Sequence, residues 1–224
     1  MNTALITGAS QGLGRELARG LARRGTKVVL VARGRAALTE AVDELRSEGL
    51  QAHGITADVG QVDPARLLGQ AAALVGSLDL LVHNASTLGP TPLRTLLDTD
   101  EEALQRVLDV NLLAPFRLTR AAAGAMALRG AGTVLFVSSD AAIEAYPTWG
   151  AYSVSKAAAD HLARVWAEEL PALRFLAVDP GEMDTAMHAA ALPDADPARL
   201  ARPRDVAARI LTLLDSGARG RVAA

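Results

Sequence analysis

The sequence predicts a doubly wound α/β fold, a mostly parallel β-sheet with helices on both faces, in a single domain over residues 1–224. Three observations predict it. Short apolar runs alternate with helical stretches through brief connections, the pattern of successive βα units. One run, Lys27–Ala32 (KVVLVA), stays apolar after its first residue, as a strand covered on both faces must. A glycine-rich loop separates the first run from the first helix, where such folds approach a phosphate. The length suits one well-buried core. Half the residues are hydrophobic but only 3% are aromatic, so that core is built from Ala, Leu and Val.

Thr3–Thr7 (TALIT) is the first strand. The loop Gly8-Ala9-Ser10-Gln11-Gly12-Leu13-Gly14 follows, then a helix over Arg15–Arg24 with Leu17 and Leu21 on one face. Glycines let the main chain approach a pyrophosphate, and the helix start supplies free N–H groups and a positive dipole end. The spacing is G-x-x-x-G-x-G rather than G-x-G-x-x-G. After the second strand, Lys27–Ala32, dinucleotide folds place an acidic residue for the ribose 2′-hydroxyl of NAD. Here that place holds Ala32 and Arg33, with Arg35 close by. A guanidinium accommodates a 2′-phosphate, so Arg33 predicts NADP(H) over NAD(H).

Ala36–Arg46 reads as a helix and Ala52–Thr56 as a strand, with Asp58-Val59 at its carboxyl end. Asp63-Pro64 is an N-cap with proline at the first helical position, opening a helix through Val75. Leu78–His83 is the fourth strand, followed by Asn84-Ala85-Ser86. Ligands in open α/β sheets lie at the carboxyl ends of strands, which draws attention to Asp58, Asn84 and Ser86. Thr99 and Glu102 form a capping box for a long helix towards Met126. Within it, Pro115 has no N–H and should leave the carbonyl near Asn111 unpaired. That distortion is either a packing kink or a carbonyl exposed to hold a water.

Gly132–Val137 is the fifth strand and ends at Ser138-Ser139; a loop over Ala141–Gly150 leads to Tyr152. Leu173–Val178 is the sixth strand, closed by Asp179-Pro180-Gly181. Residues Glu182–Leu200 show no clear period and read as a mobile flap over the strand ends. Pro203–Leu214 is a last helix with Val206, Ile210, Leu213 and Leu214 inward, and Gly217–Ala224 is a short tail.

The chemistry centres on Tyr152-Ser153-Val154-Ser155-Lys156. On a helix, residues four apart share a face, so the phenol of Tyr152 and the ammonium of Lys156 meet the same space. A positive charge there is expected to lower the phenol's pKa towards neutrality and make it a proton donor and acceptor at cellular pH. Net charge is −2 with both signs mixed, which offers no footprint for nucleic acid or an anionic membrane. No cysteine is present, so disulfides, thiolate catalysis and cysteine-held metal are excluded. His53, His83, His161 and His188 lack ligand-like spacing, and no metal site is expected. No apolar run has the length of a membrane span and no basic leader is visible, so a cytoplasmic protein is expected.

These residues resemble the short-chain dehydrogenase/reductase family, in its short single-domain branch with a Rossmann-type sheet. TGASQGLG at Thr7–Gly14 is similar to the family's TGxxxGxG cofactor loop. HNAS at His83–Ser86 resembles its NNAG, with His83 for the first Asn and Ser86 for Gly. Asn111, Ser139, Tyr152 and Lys156 fall where the family has its catalytic Asn, Ser, Tyr and Lys; the step from Ser139 to Tyr152 selects Ser139 over Ser138. Asp179-Pro180-Gly181 with Thr185 resembles the PG…T element on the nicotinamide side. The resemblance implies a hydride-transferring enzyme acting on a ketone or aldehyde, or on the secondary alcohol in reverse. Tyr152 would be its general acid–base, and Ser139 would donate to the carbonyl oxygen. Lys156 would lower the tyrosine pKa and bind the nicotinamide ribose. Asn111 would hold a water linking Lys156 to solvent.

By the same resemblance Gly8, Ser10, Gln11, Gly12, Leu13 and Gly14 would take the pyrophosphate. Asp58 and Val59 would meet the adenine, and Asn84 and Ala85 the ribose side. Pro180, Gly181, Met183 and Thr185 would meet the nicotinamide side, together with Tyr152 and Lys156. Substrate would lie among Ser86–Leu88, Ile143–Trp149 and Thr185–Leu192. Tyr146, Trp149, Met183 and Met187 make that space apolar; Glu144 and His188 are its polar contacts. Family members commonly dimerise through the helices carrying Asn111 and Tyr152, so a homodimer is expected, with a weakened or absent tetramer contact. Two rival readings differ from this one. The epimerase–dehydratase branch spaces its glycines as TGxxGxxG and carries a larger substrate region. A catalytically silent NADP(H)-sensing protein could keep the loop but lose the acid–base residues.

Overall fold

The computed structural model describes residues 1–224. Seven strands form one sheet: β1 (Thr3–Thr7), β2 (Lys27–Ala32), β3 (Ala52–Thr56), β4 (Leu80–His83), β5 (Thr133–Val137), β6 (Arg174–Asp179) and β7 (Gly220–Ala223). Their order is β3-β2-β1-β4-β5-β6-β7, and every pairing is parallel. The helices are α1 (Gly12–Arg23), α2 (Arg35–Ser47), α3 (Pro64–Val75), α4 (Glu101–Leu108), α5 (Ala114–Leu128), α6 (Gly150–Glu169), α7 (Ala186–Ala191) and α8 (Pro203–Asp215). The order reverses between β1 and β4, so the loops leaving these two strands diverge and open a crevice at their carboxyl ends.

Strand residues alternate between two cores. Ala4, Ile6, Val28 and Leu30 face α1, α2 and α8, among them Leu17, Leu45 and Ile210. Leu5, Val29 and Val31 face α3, α5 and α6, among them Leu67, Leu118 and Ala163. Both faces are covered, which is why β1 is buried at all five positions. Aromatic area is scarce, and what exists is concentrated: Trp166 stacks between Phe116 and Phe175 at ring distances of 6.1 and 6.4 Å.

Several elements depart from expectation. Helix α1 starts inside the glycine loop, at Gly12. The helix towards Met126 is broken, and its N-cap is Asp100 rather than Thr99: the Asp100 carboxylate accepts from Ala103 N at 2.6 Å, while the Thr99 hydroxyl donates to the Thr95 carbonyl. Aspartate fits a cap better because its acceptor also carries charge at the positive end of the dipole. Between α4 and α5, Asp109–Leu113 form a π-helical turn, with Ala114 N donating to the Asp109 carbonyl five residues back. Pro115, lacking an N–H, marks the place where the α ladder is widened. The aperiodic stretch Glu182–Leu200 contains α7, capped by Thr185, whose hydroxyl accepts from His188 N at 3.2 Å. In α8, Leu211 rather than Leu213 is buried with Val206, Ile210 and Leu214. The expected tail folds as β7, joined to β6 with Arg221 beside Ala177.

Candidate active site

All the sequence-named catalytic and cofactor-binding residues but Gly14 and Asn111 line one open cleft at the carboxyl ends of the strands; Gly14 packs beneath the glycine turn and Asn111 is buried behind the wall. Its floor is the turn between β1 and α1. Gly8 has φ +65°, and a Cβ there would stand 2.8 Å from Ala85 Cα. A Cβ on Gly14 would stand 2.6 Å from the Gly8 carbonyl oxygen. Two main-chain segments are thus as close as their atoms permit. Helix α1 begins beside them with no side-chain cap and no acidic residue in its first turn. Uncapped N–H groups, a positive dipole end and a bare glycine cradle fit the diphosphate of a dinucleotide. Gly12 has φ +54° and lies under Thr185, whose methyl carbon would be 3.5 Å from a Cβ there.

Asn84 locks this floor. Its amide nitrogen donates to the carbonyls of Thr7 and Gly8, both at 2.9 Å, so it holds the loop instead of pointing free donors at a ligand. Thr7 completes the joint, its hydroxyl accepting from the N–H groups of Asn84 and Ala85 at 3.1 Å. At the other end of the cleft, Asp58 accepts from Gly60 N at 2.9 Å, with Val59 buried beside it. Arg33 is exposed on the wall, and Arg202 and Arg204 of the α8 entry line the same cleft. No sequence motif marked these two arginines. Gly181 turns at φ +68°, its N–H donating to Asp179 Oδ1, and Met183 bridges to Ala201.

Opposite the glycine cradle stand Tyr152, Lys156, Ser139 and Asn111. Tyr152 and Lys156 lie one turn apart on α6 and are 8% and 5% exposed. The Lys156 ammonium is 5.5 Å from the centre of the Tyr152 ring, over its face, and donates to the Val137 carbonyl at 2.7 Å. The expectation that Lys156 brings the phenol's pKa down towards neutrality is not met. Burial pushes Tyr152 up to about 12, against the opposing pull of the Ser139 and Ser86 hydroxyls beside it. Burial also brings Lys156 down to about 8, with Asp160 acting to raise it. Ser86 was expected at a strand end and among the substrate residues; its place beside the phenol was not.

Ser139 and Ser138 divide their tasks. Ser138 is buried and donates to Asp160 Oδ2 at 2.7 Å. Ser139 faces the cleft and donates to Asp140 Oδ1 at 2.9 Å. Asp140 also receives the Tyr146 hydroxyl at 2.9 Å, which raises the Tyr146 pKa. The Asn111 side chain is fully spent within the protein. Its oxygen accepts from Ser86 Oγ and Thr87 N, and its nitrogen donates to the Thr87 carbonyl and Ser155 Oγ, at 2.8–3.1 Å. Any water near Asn111 therefore falls to its main chain, and the side chain pins the β4 loop to α6.

The space beside Tyr152 where substrate is expected is lined by apolar side chains. Tyr152 packs with Leu88 and Ala141, partly covered by Leu93, Trp149, Met187 and Ala191. Trp149 meets the Tyr152 ring edge-on at 5.7 Å. Glu144 is exposed at the rim; His188 is 3.6 Å from Glu182, and both its ring nitrogens are buried without a partner. Among His, Asp and Glu side chains no group of three could hold a metal ion. No helix is long and apolar enough to cross a membrane.

Comparison with known proteins adds the following. The family model for short chain dehydrogenases matches residues 2–196. Dehydrogenase/reductase SDR family member 4 of Bos taurus is 39% identical over 169 residues, 75% of this chain. The chain spans 60% of that relative's length. The oxidoreductase YciK of Escherichia coli K12 is 33% identical over 220 residues, 96% of this chain and 86% of its own. Among solved structures, an alcohol dehydrogenase from the archaeon Thermococcus sibiricus, complexed with 5-hydroxy-NADP, superposes with TM-score 0.89 at 29% identity, covering 100% of this chain and 96% of its own. A short chain dehydrogenase from Escherichia coli CFT073, complexed with NADPH, superposes with TM-score 0.92 at 32% identity, covering 99% and 95%.

Proposed function

Because the chain belongs to the short-chain dehydrogenase/reductase family, we propose that it is an NADP(H)-dependent oxidoreductase that reduces a ketone or aldehyde, or oxidises the matching secondary alcohol. One observation carries this reading. A buried phenol with two serine hydroxyls beside it and a lysine under its ring faces the same cleft as a glycine cradle at a helix N-terminus.

When bound, a nicotinamide dinucleotide supplies or accepts the hydride. The chain's part is protonic and positional. Tyr152 gives its phenolic proton to the substrate oxygen in reduction and receives it in oxidation. A phenol held near 12 is fully protonated at cellular pH, which suits the donating direction. Ser139 donates to the same oxygen once its hydroxyl turns from Asp140, stabilising the charge that grows there. Lys156 keeps a positive charge next to the phenolate that forms. Asn111 fixes the loop carrying Ser86 and Thr87 against α6. Gly8, Gly12 and Gly14, with the N–H groups of Ser10, Gln11 and Leu13, would hold the diphosphate. Asp58, Val59, Asn84 and Ala85 would line the adenosine and ribose positions, and Pro180, Gly181, Met183 and Thr185 the nicotinamide side.

Arg33, joined by Arg202 and Arg204 on the cleft wall, supports NADP(H) over NAD(H), since no carboxylate replaces it at the end of β2. The NADP compounds in the two superposed structures support the same choice. The complete acid–base set argues against a silent sensor. A cytoplasmic homodimer through α5 and α6 is part of this reading; exposed Val154 and Val165 on α6 support the contact. A monomer by light scattering at micromolar concentration would remove the homodimer.

The test is cofactor oxidation against a panel of aldehydes, ketones and diketones, with NADPH and NADH in parallel. Turnover with NADPH preferred is expected, and Arg33→Asp should weaken NADPH about tenfold or more. Preference for NADH would refute the reading of Arg33. Tight NADPH binding with no turnover on any carbonyl would favour the silent sensor.

A further inference from the structure

Asp160 lies on α6 one turn beyond Lys156 and is 9% exposed. A buried carboxylate requires partners. Its Oδ2 accepts from Ser138 Oγ at 2.7 Å and from Arg221 Nε at 2.9 Å. Arg221 comes from β7, and its Nη2 also reaches the Ser139 carbonyl at 3.0 Å and Asp179 Oδ2 at 3.2 Å. One guanidinium thus joins the ends of β5 and β6 to α6. Lys156 is gripped by the carbonyl of Val137, the residue before Ser138. The second oxygen of Asp160 has no hydrogen-bond partner.

We propose that Asp160 and Arg221 are positioning residues of the active site: the pair clamps the end of β5, and with it Ser139 and the carbonyl that holds Lys156, and sets a compensated charge behind Lys156. Other charged or titratable groups at this end of the fold include Tyr152 on α6, Asp140 and Tyr146 after β5, Asp179 on β6, Glu182 and Asp184 after it, Asp109 on the π-helical turn and Arg106 on α4. Asp160 is the one whose charge acts on Lys156. The consequence for turnover rests on the oxidoreductase reading; the coupling to Lys156 is a property of the free chain.

The two charges predict opposite effects. Asp160→Asn preserves size and leaves the guanidinium uncompensated, so Lys156 should lose its proton more easily. Arg221→Met leaves the carboxylate uncompensated, so Lys156 should hold its proton to higher pH. Lys27 and Lys156 are the chain's two lysines, so protein labelled with carbon-13 at lysine Cε gives two signals, one from an exposed side chain. Titrating them without cofactor should move the Lys156 midpoint down by about half a pH unit or more in Asp160→Asn and up in Arg221→Met. Lys27 should not move. Arg221→Gln, which is also neutral, should move the midpoint up as well and stands in if Arg221→Met fails to fold. In turnover, the high-pH limb of kcat/KM should follow the same two directions. An unmoved Lys156 midpoint, or shifts in one common direction in folded variants, overturns the proposal. Opposite lysine shifts with no turnover in the parent protein would uphold it and refute the oxidoreductase reading instead.

Discussion

His83 shows how one residue couples the core to pH. It takes a position at the end of β4 where the imidazole is buried, bonded to Thr119 Oγ1 at 2.8 Å and tilted on Phe136 at 4.8 Å. Burial brings its pKa from 6.5 down to about 3. The unfolded chain protonates near 6.5 while the folded chain resists until about 3, so stability is present above 6.5 and lost as pH falls towards 3. His83→Gln, which keeps an acceptor for Thr119 but cannot titrate, should lose less stability between pH 7 and pH 5 than the parent, measured by urea unfolding at both. Equal losses would discard His83 as a source of acid sensitivity. At this scale the sequence was legible where chemistry depends on short spacing. Tyr152 and Lys156 share a helix face because they are four apart, and Ser139 ends a strand. Asp160 and Arg221 were not legible, because their meeting depends on the register of β7 beside β6, which no local pattern encodes.

Among the elements, α7 is the least supported by packing. It has six residues, none buried, well below the length at which an isolated helix holds. Its order depends on the Thr185 cap and on the bridge between Met183 and Ala201. We take residues 182–200 as a lid over the cleft. Amide exchange over Ala186–Ala191 should then be among the fastest of the helices in the free protein and slow at least about tenfold with NADP(H) bound. Unchanged exchange would mean the segment does not close. The sequence could not show α7 because no apolar face recurs along it. The π-helical turn was half legible: Asn111 and Pro115 announced a distortion, while its five-residue ladder depends on how α4 and α5 pack. Asp100 is hidden as the cap in the sequence because Thr99 with Glu102 satisfies the capping-box spacing equally well.

For the whole molecule, the sheet order explains why one cleft receives so many distant residues. The reversal between β1 and β4 brings the glycine turn, the Asn84 joint and the ends of β5 and β6 to one side. That much followed from alternating βα units and a doubly covered strand, since parallel strands with short connections allow few alternatives. The direct test of the account is the turnover of Tyr152→Phe with NADPH and the best carbonyl substrate, alongside a cofactor-binding titration. The account predicts a fall of about two orders of magnitude or more in kcat with NADPH affinity little changed. Near-full turnover in a folded, NADPH-binding Tyr152→Phe protein would contradict it.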